Sequence, residues 1–432
     1  MNYKEFFNNR KISVIGLGPH GEMVTDIKFL LRNKSKVKLF DMRSEKRLKV
    51  FLPELTDLGL EEYYFGGINS DALLDSDLIV ISPEISKKSF FLKKAIQAEI
   101  QIEFPETLFF KLSPPITLIG VLGVYGKTSV ANMIHGVLKK TFTEYKNQGL
   151  FFIDPESDNG ALTYLKKIKK DDVVLAKIPD SLLPHYHEIH ISPHVAVITS
   201  ITTFDLLAFQ TYNNFIVAPD EVVDAIKSES KLSIKAKILR TRASSIPADW
   251  NIISGTIHAK ENMALVLQTS ELFKVQIDTV KEFAQNNLYQ KGCIEFVKKI
   301  NNIEYYNDSN SISPKSTLSA LQSISSNRNI VLIMGGAYTG HDYSELVKKI
   351  STYIHTIVLL PGSGTLGIRP MLDELEGIKI VQALTLDEAV IKANEIAQKG
   401  DRVLFSPAFE AVGVDVSRKE RGDRFVKLVR SL

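Results

Sequence analysis

The stretch ITLIGVLGVYGKTSVANMIHGVLKK, residues 116–140, decides the fold, because its hydrophobic pattern changes type across a glycine turn. Ile116 to Leu122 form an apolar run of strand length. Gly123 and Gly126 supply a sharp turn, and Val130, Met133, Ile134, Val137 and Leu138 recur at helical offsets of three and four. Strand, glycine turn and amphipathic helix in that order is how phosphate-binding loops are built. Backbone N–H groups and the helix N-terminus face the phosphates, Lys127 neutralises charge, and the Thr128 or Ser129 hydroxyl sits on a phosphate-bound magnesium ion. The generic G-x-x-x-x-G-K-[ST] spacing puts its first glycine at position 121, where this chain has Val121, so the match is to the architecture rather than to the full signature. A bare Gly-Lys turn is the bland alternative, and the flanking strand and helix speak against it.

Working outward, 432 residues exceed one ordinary core, so several domains are expected. Hydrophobic residues at 44% and charged residues at 24% describe a globular chain. A net charge of +3, with basic residues scattered rather than clustered, argues against a nucleic-acid partner. The single Cys293 excludes an internal disulfide framework and a CxxC metal site, which fits a reducing compartment. Neither a signal-peptide core nor about 18 consecutive apolar residues occurs, so the expectation is a cytoplasmic chain without membrane insertion.

On the N-terminal side, KISVIGLGPHGEMVTDIKFLLRNKSKVKLFDMR reads strand, glycine turn, helix, strand. Gly16, Gly18 and Gly21 make G-x-G-x-x-G, and Asp41 ends the next strand at about the spacing where an acid meets a ribose or base. DLIVIS, residues 77–82, is a further buried strand, followed by Pro83. After the phosphate loop, VVLAKI (173–178) and HVAVITSI (194–201) read as central strands, Glu261 to Phe273 as a helix, and the Pro- and Asn-containing stretch from Phe209 to Asp220 as a loop. From about Lys291 short apolar runs alternate with helices such as Tyr343 to Ile350 and Leu386 to Gln398, the latter opened by a Thr385-x-x-Glu388 capping box. Such alternation predicts a parallel sheet covered on both faces. The expected class is therefore α/β with three domains: a Rossmann-like domain over 1–112, a central phosphate-loop ATPase domain over 113–290, and a parallel-sheet α/β domain over 291–432.

Several short motifs fall in a fixed order along this frame. They are Val14-Ile15-Gly16-Leu17-Gly18, Asp41-Met42-Arg43, Leu78 to Pro83, Gly123 to Thr128, His258 with Asn262, Asn307-Asp308-Ser309, Gly335-Gly336 with Gly340 and Asp342, Ser406-Pro407-Ala408, and Glu420-Arg421-Gly422-Asp423. Over nearly its whole length the chain thereby resembles the Mur ligases of peptidoglycan synthesis, and within them the D-glutamate-adding branch. The resemblance implies an ATP-dependent ligase. In that family ATP phosphorylates the carboxylate of a UDP-linked muramoyl precursor, UDP-N-acetylmuramoyl-L-alanine in this branch, and an amino acid's amine then attacks the acyl phosphate. It also implies the roles. Gly18, Pro19, His20, Asp41 and Arg43 hold the UDP-linked substrate; Gly123, Gly126, Lys127, Thr128, Ser129, Asn262 and Asp308 hold ATP. Lys127 and Asp205 are catalytic, and Thr128 with Asp205 binds Mg2+. A monomer is the expectation, and cell division and cell shape are the processes served.

The departures from the family pattern fall on chemistry. The family's magnesium-binding Glu aligns with Ala176 and its magnesium-binding His with Asp205, whose carboxylate still suits magnesium. Tyr125 replaces an Asn in the phosphate loop, Ala259 replaces the first Asn of the adenine motif, and Tyr289-Gln290 replaces a His-Arg pair. The helix that carries a carbamylated lysine in the family is missing after residue 208. In the amino-acid pocket Asn310, Ile312, Thr339 and Ala411 stand where the family has Lys, Thr, Lys and Ser. Two lost ammonium groups, each worth roughly 1.5–3 kcal/mol per charged hydrogen bond, weaken the case for D-glutamate. Lys315, His341, Arg418 and Lys419 are the candidates for replacement charge. A second expectation therefore stands beside the ligase: a catalytically impaired homologue that binds the UDP precursor or regulates. His185, His187, His190 and His194 do not follow a zinc spacing and read as surface or loop histidines.

Overall fold

The computed structural model describes residues 2–18, 21–123, 126–145, 148–157, 159–200, 215–228, 235–250, 257–287, 292–325, 327–338, 340–411 and 417–432. The chain divides into two compact units, Met1–Arg242 with Ala264–Val280, and Ala243–Met263 with Lys281–Leu432.

The first unit holds two sheets. One contains β1 (Lys11–Ile15), β2 (Lys36–Asp41), β3 (Glu62–Phe65), β4 (Leu78–Ile81) and β5 (Gln101–Glu103) in the order β3-β2-β1-β4-β5, all parallel. The winding reverses between β1 and β4, so the glycine turn after β1 and Ser82-Pro83 after β4 sit together at the carboxyl edge, where open α/β sheets hold ligands. β4 is buried at every position, as a strand covered on both faces must be.

The other sheet of this unit contains β6 (Thr117–Leu122), β7 (Leu150–Ile153), β8 (Val173–Lys177), β9 (Val195–Ile198), β10 (Phe215–Pro219) and β11 (Lys237–Thr241), ordered β11-β10-β9-β6-β8-β7 and again parallel. β6 is central. The chain leaves it on one side to build β8 and β7 and returns on the other to build β9, β10 and β11. The helix Lys127–Tyr145 follows, with Val130, Ile134, Val137 and Leu138 fully buried, as their spacing predicts. The expected loop between Phe209 and Asp220 is corrected here. Phe215–Pro219 is a strand, because its apolar side chains are wanted between β9 and β11, and Pro219 is tolerated at its last position. Residues 209–214 lie outside the described residues.

Within this unit the helix Val24–Arg32 of the first sheet meets the short 3-10 segment Ala161–Lys166 of the second. Asp26, 4% exposed, accepts a hydrogen bond from Leu162 N at 2.8 Å. Beside it the buried Glu106, on the helix Pro105–Leu112, has an Oε2 with no hydrogen-bond partner. Glu22, Asp26, Glu106, Asp154 and Tyr164 line a cavity of about 20 Å³, room for a water molecule. Burial pushes Asp26 up to about 7 against the backbone bonds from Leu162 and Ala161; it pushes Glu106 up to about 8, with Asp26 and Asp154 adding to the rise.

The second unit holds β12 (Glu295–Ile300), β13 (Ile303–Asn307), β14 (Ile330–Met334), β15 (Ile354–Leu359), β16 (Lys379–Gln382) and β17 (Arg402–Phe405), ordered β12-β13-β17-β14-β15-β16. All neighbours are parallel except β12 and β13, a hairpin turned by Asn301 and Asn302 with φ of 49° and 65°. That edge hairpin amends the expected all-parallel sheet. Two apolar layers cover its faces, one around Leu332, Ile357 and Phe409, the other around Val331, Val358 and Phe425. The capping expectation at Thr385 holds: its hydroxyl accepts from Glu388 N at 3.2 Å, and Glu388 Oε2 accepts from Leu384 N at 2.7 Å.

Because the folded pKa values of Asp26 and Glu106 lie above the ordinary 3.8 and 4.5, the folded state holds more protons between those limits. Their contribution to stability is complete below about pH 4 and is lost as the pH rises towards 8. Thermal melting followed from pH 5 to 8 should show this fall, and Glu106→Gln should flatten it, gaining at least about 1 kcal/mol at pH 8.

Candidate functional site

The turn after β1 is held by one ion pair. Asp41, buried at the end of β2, accepts from Leu17 N at 3.0 Å and from Arg43 N at 2.9 Å. The Arg43 guanidinium adds Nε to Oδ1 at 3.0 Å and Nη2 to Oδ2 at 2.7 Å, and also donates to the Gly18 carbonyl at 2.8 Å. Burial alone would raise the Asp41 carboxyl, but the hydrogen bonds from Arg43 and Leu17 outweigh it and hold the carboxyl below its usual range. Asp41 and Arg43 therefore shape the Gly16–Gly18 turn from within. Gly18 has φ 80°, a left-handed conformation that favours glycine. Pro19 and His20 lie outside the described residues.

The phosphate loop stands at the carboxyl end of β6. Gly123 takes φ 119°, and a Cβ there would lie 2.5 Å from Thr199 Oγ1 and 2.7 Å from Ser200 N. Only glycine lets the loop pass under the end of β9. Gly126, with φ 80°, closes the turn, and the helix starts at Lys127, so the free N–H groups of Lys127, Thr128 and Ser129 belong to a helix N-terminus. Gly123 thus lets the chain pack against the end of β9, and the helix N-terminus that follows is the feature suited to a polyphosphate. The Lys127 ammonium faces Asp180 Oδ1 at 3.5 Å, on the 3-10 turn Asp180–Leu182 after β8.

A residue the sequence reading passed over completes this edge. Lys177, the last of β8, is buried to 1%. Its Nζ lies 2.7 Å from Asp154 Oδ1, 2.8 Å from Glu156 Oε2 and 3.5 Å from Thr128 Oγ1. The signal was a lysine within the apolar run VVLAKI, where every neighbour is a core residue. The side chain that this strand offers to the phosphate loop is that of Lys177 rather than Ala176.

A magnesium site asks for about six oxygen ligands in near-octahedral geometry. Among the described residues, Thr128 Oγ1 and the carboxylates of Asp154 and Glu156 all meet the Lys177 ammonium. No group of three or more His, Cys, Asp or Glu side chains among the described residues is arranged to hold a metal ion. In the described part of the site, the hydroxyl and the two carboxylates that magnesium would take are engaged by the Lys177 ammonium. Asp205, together with Tyr125, Thr339, Tyr289 and Gln290, lies outside the described residues. Of the four histidines, His185 bonds Glu188 Oε2 at 3.0 Å, and His194 Nδ1 accepts from Leu118 N at 3.1 Å. These are local structural contacts.

In the second unit Asp308 follows β13. It is 3% exposed, accepts from Ser406 Oγ at 2.6 Å and from Ile294 N at 3.1 Å, and burial pushes it up to about 7. It ties the ends of β13 and β17 together. Asn307 Nδ2 donates to Glu295 Oε2 at 3.0 Å, and Asn310 Nδ2 to Cys293 Sγ at 3.4 Å. Asn262 lies half-buried on the helix Ile257–Leu272. Arg418, one of the candidates for replacement charge, is paired with Glu410 at 2.7 Å.

Comparison with known proteins places these features. A family model described as the N-terminal domain of MurD-like Mur ligases matches residues 10–103, and a model described as the Mur ligase glutamate ligase domain matches residues 294–409. The UDP-N-acetylmuramoylalanine–D-glutamate ligase of Borreliella afzelii is 25% identical over 458 residues, covering 98% of each chain. The enzyme of that name from Clostridium kluyveri is 26% identical over 477 residues, covering 100% of this chain and 99% of the relative. Among solved structures, the UDP-N-acetylmuramate-alanine ligase MurC of Thermotoga maritima superposes with a TM-score of 0.59 at 17% identity, covering 98% of this chain and 99% of its own. The MurF ligase of the same organism, in complex with ADP, gives 0.56 at 14%, covering 99% and 97%. At such identities the solved structures speak for the fold.

Gly123→Ala should destabilise the first unit by about 2–3 kcal/mol, since it adds a Cβ contact below 3 Å to an unfavourable φ. Urea unfolding checks this, and an unchanged midpoint would mean that the turn yields without strain.

Proposed function

The chain belongs to the Mur ligase family, and from that premise we propose that it joins an amino acid to a UDP-linked muramoyl precursor, UDP-N-acetylmuramoyl-L-alanine, at the expense of ATP. One observation carries the reading: a glycine turn opening a helix N-terminus follows the central strand of a parallel sheet, between two segments matched by Mur ligase domain models. The corresponding division of labour is UDP-substrate binding by 1–112, ATP binding by 113–290 and amino-acid binding by 291–432.

Amide formation from a carboxylate and an amine needs the carboxylate oxygen turned into a leaving group, and ATP supplies the phosphoryl group for that. The residues of the chain bind and orient. The Gly123–Gly126 turn and the helix N-terminus at Lys127 to Ser129 receive the polyphosphate. Lys127 exchanges Asp180 for the γ-phosphate and stabilises the charge that develops on it. In this reading the Gly16–Gly18 turn, stiffened by Asp41 and Arg43, holds the uridine diphosphate end. Asn262 meets the adenine, and Asp308 positions the strand ends beneath its ligand rather than touching it. Binding of the precursor and the amine on separate elements brings the reacting atoms into line. No step here is routed through magnesium. A monomer suffices. Among the described residues no helix is long and apolar enough to cross a membrane.

A second reading is favoured by one observation, the buried ammonium of Lys177 beside the phosphate loop, next to Ala176 at the position of the family's carboxylate: a homologue that binds the UDP precursor without ligating it. Incubation with ATP, UDP-N-acetylmuramoyl-L-alanine and a panel of amino acids, followed by mass spectrometry, separates the two. The ligase reading expects a product one amino-acid residue heavier and a loss of at least about 100-fold in kcat/KM for Lys127→Ala. Precursor binding with no product from any amino acid would favour the second.

A further inference from the structure

The placement of Lys177 has a chemical consequence that a structural salt bridge does not require. An ammonium group has three N–H donors, and among the described residues the neighbours within reach are Asp154 Oδ1 at 2.7 Å, Glu156 Oε2 at 2.8 Å and Thr128 Oγ1 at 3.5 Å. The third is the hydroxyl that a phosphate loop ordinarily spends on a metal ion. The two carboxylates differ sharply in exposure: the Asp154 side chain is 15% exposed and that of Glu156 is 60%. A buried lysine needs one firm counter-charge, and Asp154 supplies it at the end of β7. Glu156 is an additional anion, held at the solvent side of the ammonium.

We propose that Lys177 is a built-in cation of the phosphate loop, standing where a divalent metal would bridge protein and phosphates, and that Glu156 keeps the place of an incoming phosphate oxygen. The nucleotide triphosphate then binds as the metal-free anion. Its phosphate oxygen displaces the exposed Glu156 carboxylate, which swings into water, while Asp154 and Thr128 keep the ammonium in position. Lys177 is a positioning residue for the polyphosphate, with a single compact charge in place of an octahedral ion. The inference rests on the proposed nucleotide binding by this loop and concerns how that binding is neutralised.

The test is calorimetric titration of the full-length wild-type chain with ATP in excess EDTA and, separately, in millimolar magnesium, together with titration of the apo chain with Mn2+ alone. The expected result is ATP affinity in EDTA within about threefold of that in magnesium, no Mn2+ binding to the apo chain, and for the solvent-exposed Glu156→Ala an affinity in EDTA raised by about threefold or more. A fall of tenfold or more in EDTA, or a weaker-binding Glu156→Ala, overturns the inference while leaving magnesium-dependent nucleotide binding intact. Absence of ATP binding in both buffers overturns the inference and the nucleotide reading together. Because the wild-type comparison needs no substitution at the buried lysine, folding of a variant does not enter it.

Discussion

The Lys177 ammonium sits at the carboxyl ends of three neighbouring strands and gives that edge of the sheet its shape. β8 delivers it, the residues after β7 supply Asp154 and Glu156, and the helix following β6 supplies Thr128. A buried charge deprived of its partner costs about 3–5 kcal/mol, so none of these elements is free to drift from the others. The phosphate loop inherits this rigidity. Its backbone path is further narrowed by Gly123 beneath Thr199 and Ser200, which leaves the helix N-terminus at Lys127 as the exit of the turn.

Charge is managed differently in the three sheets. In the first, Asp41 is ionised because Arg43 and a backbone N–H surround it, and the pair spends its hydrogen bonds on the glycine turn. Between the first and second sheets, burial pushes Asp26 and Glu106 towards their neutral forms. In the third, Asp308 is likewise buried, with a hydroxyl and a backbone N–H in place of a counter-charge. Beside the phosphate loop the chain buries Lys177 to 1% with two carboxylates around it.

Much of this was legible in the residues. The strand–turn–helix reading of 116–140 and the G-x-G-x-x-G turn were carried by local patterns, which survive folding because the glycines and the apolar stripe have only one use there. Phe215–Pro219 was missed because its proline and the polar residues before it signal a loop, while the demand that makes it a strand comes from β9 and β11 far along the chain. The antiparallel β12 was missed for a similar reason, since EFVKKI alternates weakly and only its Asn-Asn turn announces the hairpin. At the site, Lys177 escaped notice because alignment to a family pattern directs attention to the residue that should be acidic, one position earlier. Asp41 and Asp308, both read from motifs, have carboxylates hydrogen-bonded within the protein.

The account turns on whether this chain passes a phosphoryl group to a carboxylate at all. The most direct measurement uses UDP-N-acetylmuramoyl-L-alanine labelled with 18O in its terminal carboxylate, incubated with ATP, the chain and the amino acid it accepts. The account predicts that the inorganic phosphate released carries one 18O for each amide formed. Phosphate free of label, or ATP hydrolysed without any new amide, would contradict it.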